Sequence, residues 1–381
     1  MPRPGVRSLY LHFPFCETKC HYCDFYSIGR ERTGASDPLL FESALRDEIQ
    51  LLKDQPEAPL LHEELESIFM GGGTPSMTPP EAMARAIEPL WSLTKTTAQT
   101  EWTMEANPSS VDIDRLRAYR ALGVNRISMG VQALNDDLLL RLGRVHSSER
   151  ALKSLDSIFE AGFENVSVDL LCGVPGQTQE ELRAALRTLT RFPITHLSCY
   201  LLTLPRTHRM YRELPPEDEQ LGHLLLIHDW MTEQGFEHYE ISNFAKPGKQ
   251  ARHNLAYWKR LGYLGLGPSA HSFDPGQGTH GSRWKNVSSL HKYSRLVEER
   301  KLPIEWRETL TAAEADLEKW MLALRLAEGF PTFWLDTPSR QSKAEQLILE
   351  NLLQSHPEKP NYLQLTSRGF ALSDQVIAAL A

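Results

Sequence analysis

Apolar positions along the chain fall into two alternating rhythms. Short runs rich in β-branched, aromatic and aliphatic residues recur at "SLYLHF" near residue 8, "LESIFM" near 65, "TEWTME" near 100, "NRISMGV" near 125, "NVSVDLL" near 165 and "THLSCYLL" near 195. Between them lie amphipathic stretches such as "PEAMARAIEPLWSL", "DIDRLRAYRALG" and "QEELRAALRTLTRF". Strand-like runs alternating with helices at this spacing predict βαβ units and a parallel sheet. Six units within about 200 residues predict an α/β fold that curls into a partial (β/α)6 TIM-like barrel, with its chemistry at the carboxyl ends of the strands. The alternative, an open doubly wound sheet, would carry a G-x-G-x-x-G turn after its first strand, and that turn is missing.

The rhythm changes after residue 235. "GFEHYEISNFAKPG", "RHNLAYWKRLGYLGLGPSAHSF" and "SRWKNVSSLHKYSRLVEE" are rich in glycine and aromatic residues and read as strands and turns beside the barrel. From about 305 the text is helical, then a short strand pair leads into a last helix. Three parts are predicted: a core over 1–235, a flanking region over 236–304, and a smaller α-rich, winged-helix-like C-terminal domain over 305–381.

The 381 residues are 41% apolar and 24% charged, enough for a sizeable core. A net charge of -8 argues against a nucleic-acid partner, which needs a basic face. No run approaches the roughly 18 apolar residues of a membrane span, and the N-terminus lacks an export-signal core, so a cytoplasmic protein is expected. In that reducing compartment five cysteines, three of them clustered, point to metal ligation rather than disulfides.

Candidate chemistry gathers where strands should end: Cys16 to Cys23, Gly71 to Thr74, Glu105, Gln132 and Asp169. Any one of them alone reads as a turn or a helix cap. Cys16, Cys20 and Cys23 follow C-x3-C-x2-C, and thiolates suit zinc or an iron-sulfur cluster. A structural zinc needs a fourth ligand, which His21 could supply. Yet the spacing is not the paired C-x2-C of a zinc ribbon, and Cys172 and Cys199 stand alone in predicted strands. A cubane held by three thiolates leaves one iron open to a substrate.

C-x3-C-x2-C after a first strand, with "YLHFPFCETKCHYCDFYS", "GGGTPS", "ISMGVQALND" and "DLLCGVPGQT", resembles the radical S-adenosylmethionine (SAM) superfamily. The likeness is to the branch of oxygen-independent coproporphyrinogen III oxidases (HemN) and the related heme chaperones (HemW), over about residue 8 to beyond 270. It implies a 4Fe-4S cluster on Cys16, Cys20 and Cys23, with SAM chelating the open iron and yielding a 5'-deoxyadenosyl radical on reduction. Carried over residue by residue, it implies that Gly72, Gly73, Thr74, Glu105 and Arg144 contact SAM. Gln132 and Asp169 match residues assigned to a second SAM, and Tyr10 and Tyr22 flank the pair. Either tyrosine could equally be core packing.

Three features separate the two kinds of relative. The oxidases carry a fourth cysteine two positions after the third, where this chain has Phe25, and a longer segment before the cysteines than the 15 residues here. "HNLAYW" at 253–258 resembles the chaperones' H-N-x-x-Y-W motif, which implies haem binding by His253 with Tyr257 and Trp258 beside it. A histidine among aromatics can also be a hydrogen-bonded core residue. In many chaperones a cysteine precedes that histidine by two, where Ala251 stands here; His271 lies in further shared text. The resemblance thus implies a haem carrier delivering to respiratory proteins near the membrane, with dimerisation on cluster loading. The alternatives are a porphyrinogen oxidase and a decayed relative with a structural cluster.

Overall fold

The structure, a computed structural model, describes residues 5–54 and 61–381. Two compact units interleave in sequence: one holds the residues up to Val168 with Ala251–Tyr257 and Leu261–Leu310, the other Asp169–Gln250, Trp258–Arg260 and Thr311–Ala381. These cuts fall elsewhere than 235 and 304, because strands from the later region pair into the sheet that the N-terminal region begins.

All six predicted strands form: β1 Ser8–Phe13, β2 Ser67–Gly72, β3 Glu101–Ala106, β4 Arg126–Gln132, β5 Asn165–Cys172 and β6 His196–Leu201. In the first unit they stand in the order β1-β2-β3-β4-β5. β1 to β4 are parallel, with Ser8 opposite Ser67, Ser67 opposite Glu101, and Thr103 opposite Arg126. Strand residues alternate between two faces. One face carries Leu9, Leu11, Ile68, Met70, Trp102, Met104, Ile127 and Met129, all buried, as a helix-covered sheet requires. The other carries Ser8, His12, Ser67, Glu101, Thr103, Arg126 and Ser128, equally buried yet polar. Arg126 makes a 3.4 Å bond to Thr103 Oγ1, and its Nε has no partner among the described residues. Such a face is a lining for polar chemistry, because a filled barrel core would be apolar.

On the far side of β1, Tyr263–Leu266 pairs with it in parallel, followed by antiparallel His271–Asp274, Ser282–Asn286 and Ile304–Thr309. These strands extend the sheet rather than pack beside it. The helix Asp37–Asp54 is tied to them through buried Glu48, whose carboxylate accepts from Gly267 N (2.7 Å), Asn286 Nδ2 (2.6 Å) and Tyr293 Oη (2.6 Å).

In the second unit the end of β5 is followed by β6, Asn243–Ala245 and Glu237–Glu240. The helix Gln179–Leu189 begins with a Thr178/Glu181 capping box and buries Leu182, Ala185, Leu186 and Leu189. The C-terminal part sets a three-stranded antiparallel sheet, with Tyr362–Leu365 in its middle, among four helices. Trp320, Phe330, Leu347, Leu353, Leu363, Phe370 and Val376 share one core there. Cys172 and Cys199, separate in sequence, are hydrogen-bonded neighbours in this unit, both buried and free. Among the described residues no helix is long and apolar enough to cross a membrane.

Candidate functional site

β1 runs straight into the cysteine loop, whose base is closed by a two-residue ladder of Phe15–Cys16 with Ile28–Gly29. The loop docks on the end of β2: Gly73 N donates to Phe13 O and Thr74 N to Phe15 O, both at 2.7 Å. A Cβ on Gly73 would stand 2.7 Å from those same carbonyls, and Gly72 turns at φ +100° against the His12 ring. The three glycines have separate local causes: Gly71 lies against Phe69 and Glu105, Gly72 against the His12 ring, and only Gly73 meets the cysteine segment. Gly72 N donates to Glu105 Oε2 (3.2 Å), which puts the carboxylate beside the turn.

Cys16, Cys20 and Cys23 are free and half-buried. Thr74 Oγ1 donates to Cys16 Sγ (3.6 Å) and Arg144 Nη1 to Cys20 Sγ (3.4 Å). Burial pushes the Cys16 and Cys23 thiols up, while the Arg144 charge opposes it at Cys16. Tyr22 packs its hydroxyl against Cys20, and burial raises it too. His21 is turned to Arg141 O (3.1 Å). Among the described residues no three Cys, His, Asp or Glu side chains converge as around a single ion. The ligands of an iron cube sit on different irons, whereas those of zinc gather on one.

Arg144 joins the loop to the strand ends. Its Nη2 donates to Asn107 Oδ1 (2.7 Å) and Gly130 O (2.8 Å), while Asn107 Nδ2 donates to Thr74 Oγ1 (3.0 Å). Gln132 ends β4 at φ +66°, unusual for a residue with a Cβ, and its amide lies with Asn107 and Arg144 over Gly130. Tyr10 Oη donates to His12 Nδ1 (3.1 Å), and His12 Nε2 donates to Tyr26 O (2.9 Å). Burial, then the Glu105 charge, raises the Tyr10 hydroxyl, and burial lowers His12 to about 4. Tyr10, Gly72, Gly73, Thr74, Glu105, Gln132 and Arg144 thus belong to one rim with the cysteines. Asp169, on β5, falls in the second unit. Asn107 and His12 were not expected there.

His253 lies on the helix Arg252–Trp258, whose first amides donate to the Glu101 carboxylate: Arg252 N at 3.1 Å, His253 N at 3.3 Å. Its Nδ1 is 2.9 Å from Ser67 Oγ and its Nε2 2.7 Å from Tyr257 Oη, and the ring stacks on Phe69 at 5.3 Å. It is 1% exposed. Burial, then the Arg126 charge, lowers it to about 3. Both nitrogens are therefore occupied as the chain is folded. Trp258 lies in the second unit, where Arg325 covers its ring at 5.6 Å.

A parallel half-barrel with three cysteines after its first strand and a glycine turn after its second defines a class of protein. The profile of the Radical SAM superfamily matches residues 10–189. Heme chaperone HemW of Mycobacterium tuberculosis is 32% identical, over 100% of this chain and 96% of its own length. That of Bacillus subtilis is 33% identical over 85% and 84%, and that of Escherichia coli 37% over 69% and 69%. The solved structure of E. coli coproporphyrinogen III oxidase (HemN) shares the fold, at 22% identity and a TM-score of 0.82 over 100% of this chain and 91% of that one. The chain belongs to the radical SAM superfamily and, within it, to the family of the heme chaperone HemW.

Proposed function

We propose that this protein is a cytoplasmic haem carrier that holds a 4Fe-4S cluster on Cys16, Cys20 and Cys23 and binds SAM beside it. The observation that carries the reading is the Arg144 junction, in which one buried guanidinium meets a cluster cysteine, the Asn107–Thr74 pair and the end of β4. The donor set fits the group: three thiols that a cluster would deprotonate, with a cation to offset the anion that results. When bound, the cluster supplies one electron and an open coordination site for SAM. Glu105 would take the amino end of the ligand and Arg144 its carboxylate. Tyr10, Tyr22, Gly72, Gly73, Thr74, Gln132 and Asp169 complete the proposed SAM residues. Haem ligation by His253, flanked by Tyr257 and Trp258, requires Ser67 or Tyr257 to give up its hydrogen bond first. Haem would pass to respiratory acceptors, and a homodimer would form on cluster loading; the HemW name of the relatives supports the haem part of this reading.

The experiment is anaerobic incubation of cluster-loaded protein with haem in one arm and coproporphyrinogen III in the other, each with SAM and reductant. Stoichiometric haem uptake without porphyrinogen turnover is expected. Formation of protoporphyrinogen would make the chain an oxidase instead. Neither product nor haem uptake, with no 5'-deoxyadenosine formed, would leave only a structural cluster.

A further inference from the structure

The strand register arranges the inner face of the half-barrel in rows. Tyr10 stands opposite Phe69, Phe69 opposite Thr103 and Thr103 opposite Arg126, so these four side chains cross β1 to β4 at one level. Tyr10 and Phe69 are only half-buried, with ring centroids 6.2 Å apart, which leaves this row partly open. The opposed pair Glu105 and Ser128 forms the next row toward the rim, two residues and about 7 Å further along the strands.

Arg126 is the unbalanced member of that face. It is 2% exposed; among the described residues its one hydrogen bond is from Nη1 to Thr103 Oγ1 at 3.4 Å, its Nε has no partner, and no carboxylate forms an ion pair with it. The Glu101 carboxylate, on the neighbouring strand, is taken by the amides of Arg252 and His253. An arginine stays charged inside a protein, and a buried charge without a counter-ion works against the fold. Filling the space would need only an apolar side chain, as Ile127 and Met129 of the same strand show on the other face. A buried guanidinium fork with free donors matches a carboxylate brought in by a ligand.

His253 packs over Phe69, and Phe69 stands two strands from Arg126, roughly 10 Å at the usual strand spacing. The Arg126 charge is near enough to act on the His253 ring. A haem carries its propionates on one edge, at a comparable reach from the central iron. We propose that Arg126 is the carboxylate anchor for the haem that His253 ligates: one propionate pairs with the guanidinium, and the ring's apolar edge lies beside Tyr10 and Phe69. Iron and propionate are then held at two separate points, which fixes the orientation of the cargo in the half-barrel. The SAM carboxylate, assigned to Arg144 at the rim, leaves Arg126 to this second anion. The inference rests on the haem-carrier reading and adds the residue that recognises the acid groups.

The test is an anaerobic absorbance titration of cluster-loaded wild type, Arg126→Met and Arg126→Lys with haem and with haem dimethyl ester, whose propionates are both blocked, in one mild detergent. The wild type is expected to bind haem at least about tenfold more tightly than the ester, the size of one charge-assisted pairing. Arg126→Met, which keeps nearly the same volume without the charge, should bind the two forms alike, and Arg126→Lys should recover part of the preference. Without haem, Arg126→Met should resist denaturant at least as well as the wild type, whereas loss of a merely structural arginine would lower stability and leave the preference intact. Equal wild-type affinity for haem and ester, or a preference that persists in Arg126→Met, would overturn the assignment. The wild-type comparison decides it even where a variant does not fold. Failure of the wild type to bind either form would instead remove the carrier reading.

Discussion

Arg144 illustrates how much one side chain can decide. Its guanidinium fork reaches Cys20, Asn107 and Gly130 at once, and a lysine, a point charge with no planar fork, cannot keep all three. Arg144→Lys should therefore weaken SAM binding about tenfold by calorimetry, one charge-assisted hydrogen bond being about 1.5–3 kcal/mol. Iron content should fall only slightly; unchanged SAM affinity would separate Arg144 from the ligand. At His253 the expected change is in stability. Ser67→Ala strips one ring nitrogen of its partner in a fully buried site, which should cost about 1–3 kcal/mol in chemical denaturation. In the sequence the cysteines stand out by their C-x3-C-x2-C spacing and Glu105 by its place at a predicted strand end, whereas Arg144 is marked only by the family resemblance. Asn107 was not legible, since an Asn before Pro reads as a helix cap, and it is one here as well. The confinement of His253 was also hidden: its partners Ser67 and Glu101 lie more than 150 residues away in sequence, and only the sheet register brings them to it.

Among the elements, the turn after β2 bears most directly on the site. Because Gly73 approaches Phe13 O and Phe15 O so closely, Gly73→Ala must push the cysteine segment off the strand end. We expect less than half the wild-type iron per chain after reconstitution, with helix content by circular dichroism unchanged. Full iron loading in that variant would show that the glycine serves the turn alone. The six strands and their helices were readable from periodicity, since each is local and each buries one apolar stripe. Elements of the later region were not, among them the helix Leu290–Glu298, which falls in text read as strands and turns. Tyr263–Leu266 joins the sheet through pairing with β1, a partner some 250 residues earlier, which no local pattern encodes. The helix Arg252–Trp258 has only seven residues, and its N-terminus is capped by Glu101 of β3 instead of by a residue of its own.

For the whole molecule, the buried titratable groups give opposing pH slopes. His253 in the first unit and His238 in the second are both held near 3 by burial, against an unfolded value near 6.5. The unfolded chain binds their protons first, so the stability they protect is complete above about 6.5 and is lost as pH falls toward 3. His238 stacks on Phe244 at 4.2 Å, so His238→Phe should keep the packing and remove acid sensitivity on the order of 3 kcal/mol between pH 7 and pH 4, read by denaturation of the second unit's signal at those two values. Glu48 has the reverse sign. Burial raises it to about 7, so its protonated form stabilises the fold below about 4.5 and that contribution disappears as pH rises to 7. Denaturation at pH 5 and pH 8 should then show Glu48→Gln gaining about 3 kcal/mol on the wild type across that interval; a constant difference would mean that the carboxylate stays ionised. All of this concerns a scaffold whose purpose is the loop at the end of β1. The most direct test is to purify the chain without oxygen, reconstitute it with iron and sulfide, and count metal per chain in the wild type and in Cys20→Ala. Four irons and four sulfides with a reducible cluster spectrum, lost in the variant, are predicted. One zinc, or no metal in either protein, would contradict the account.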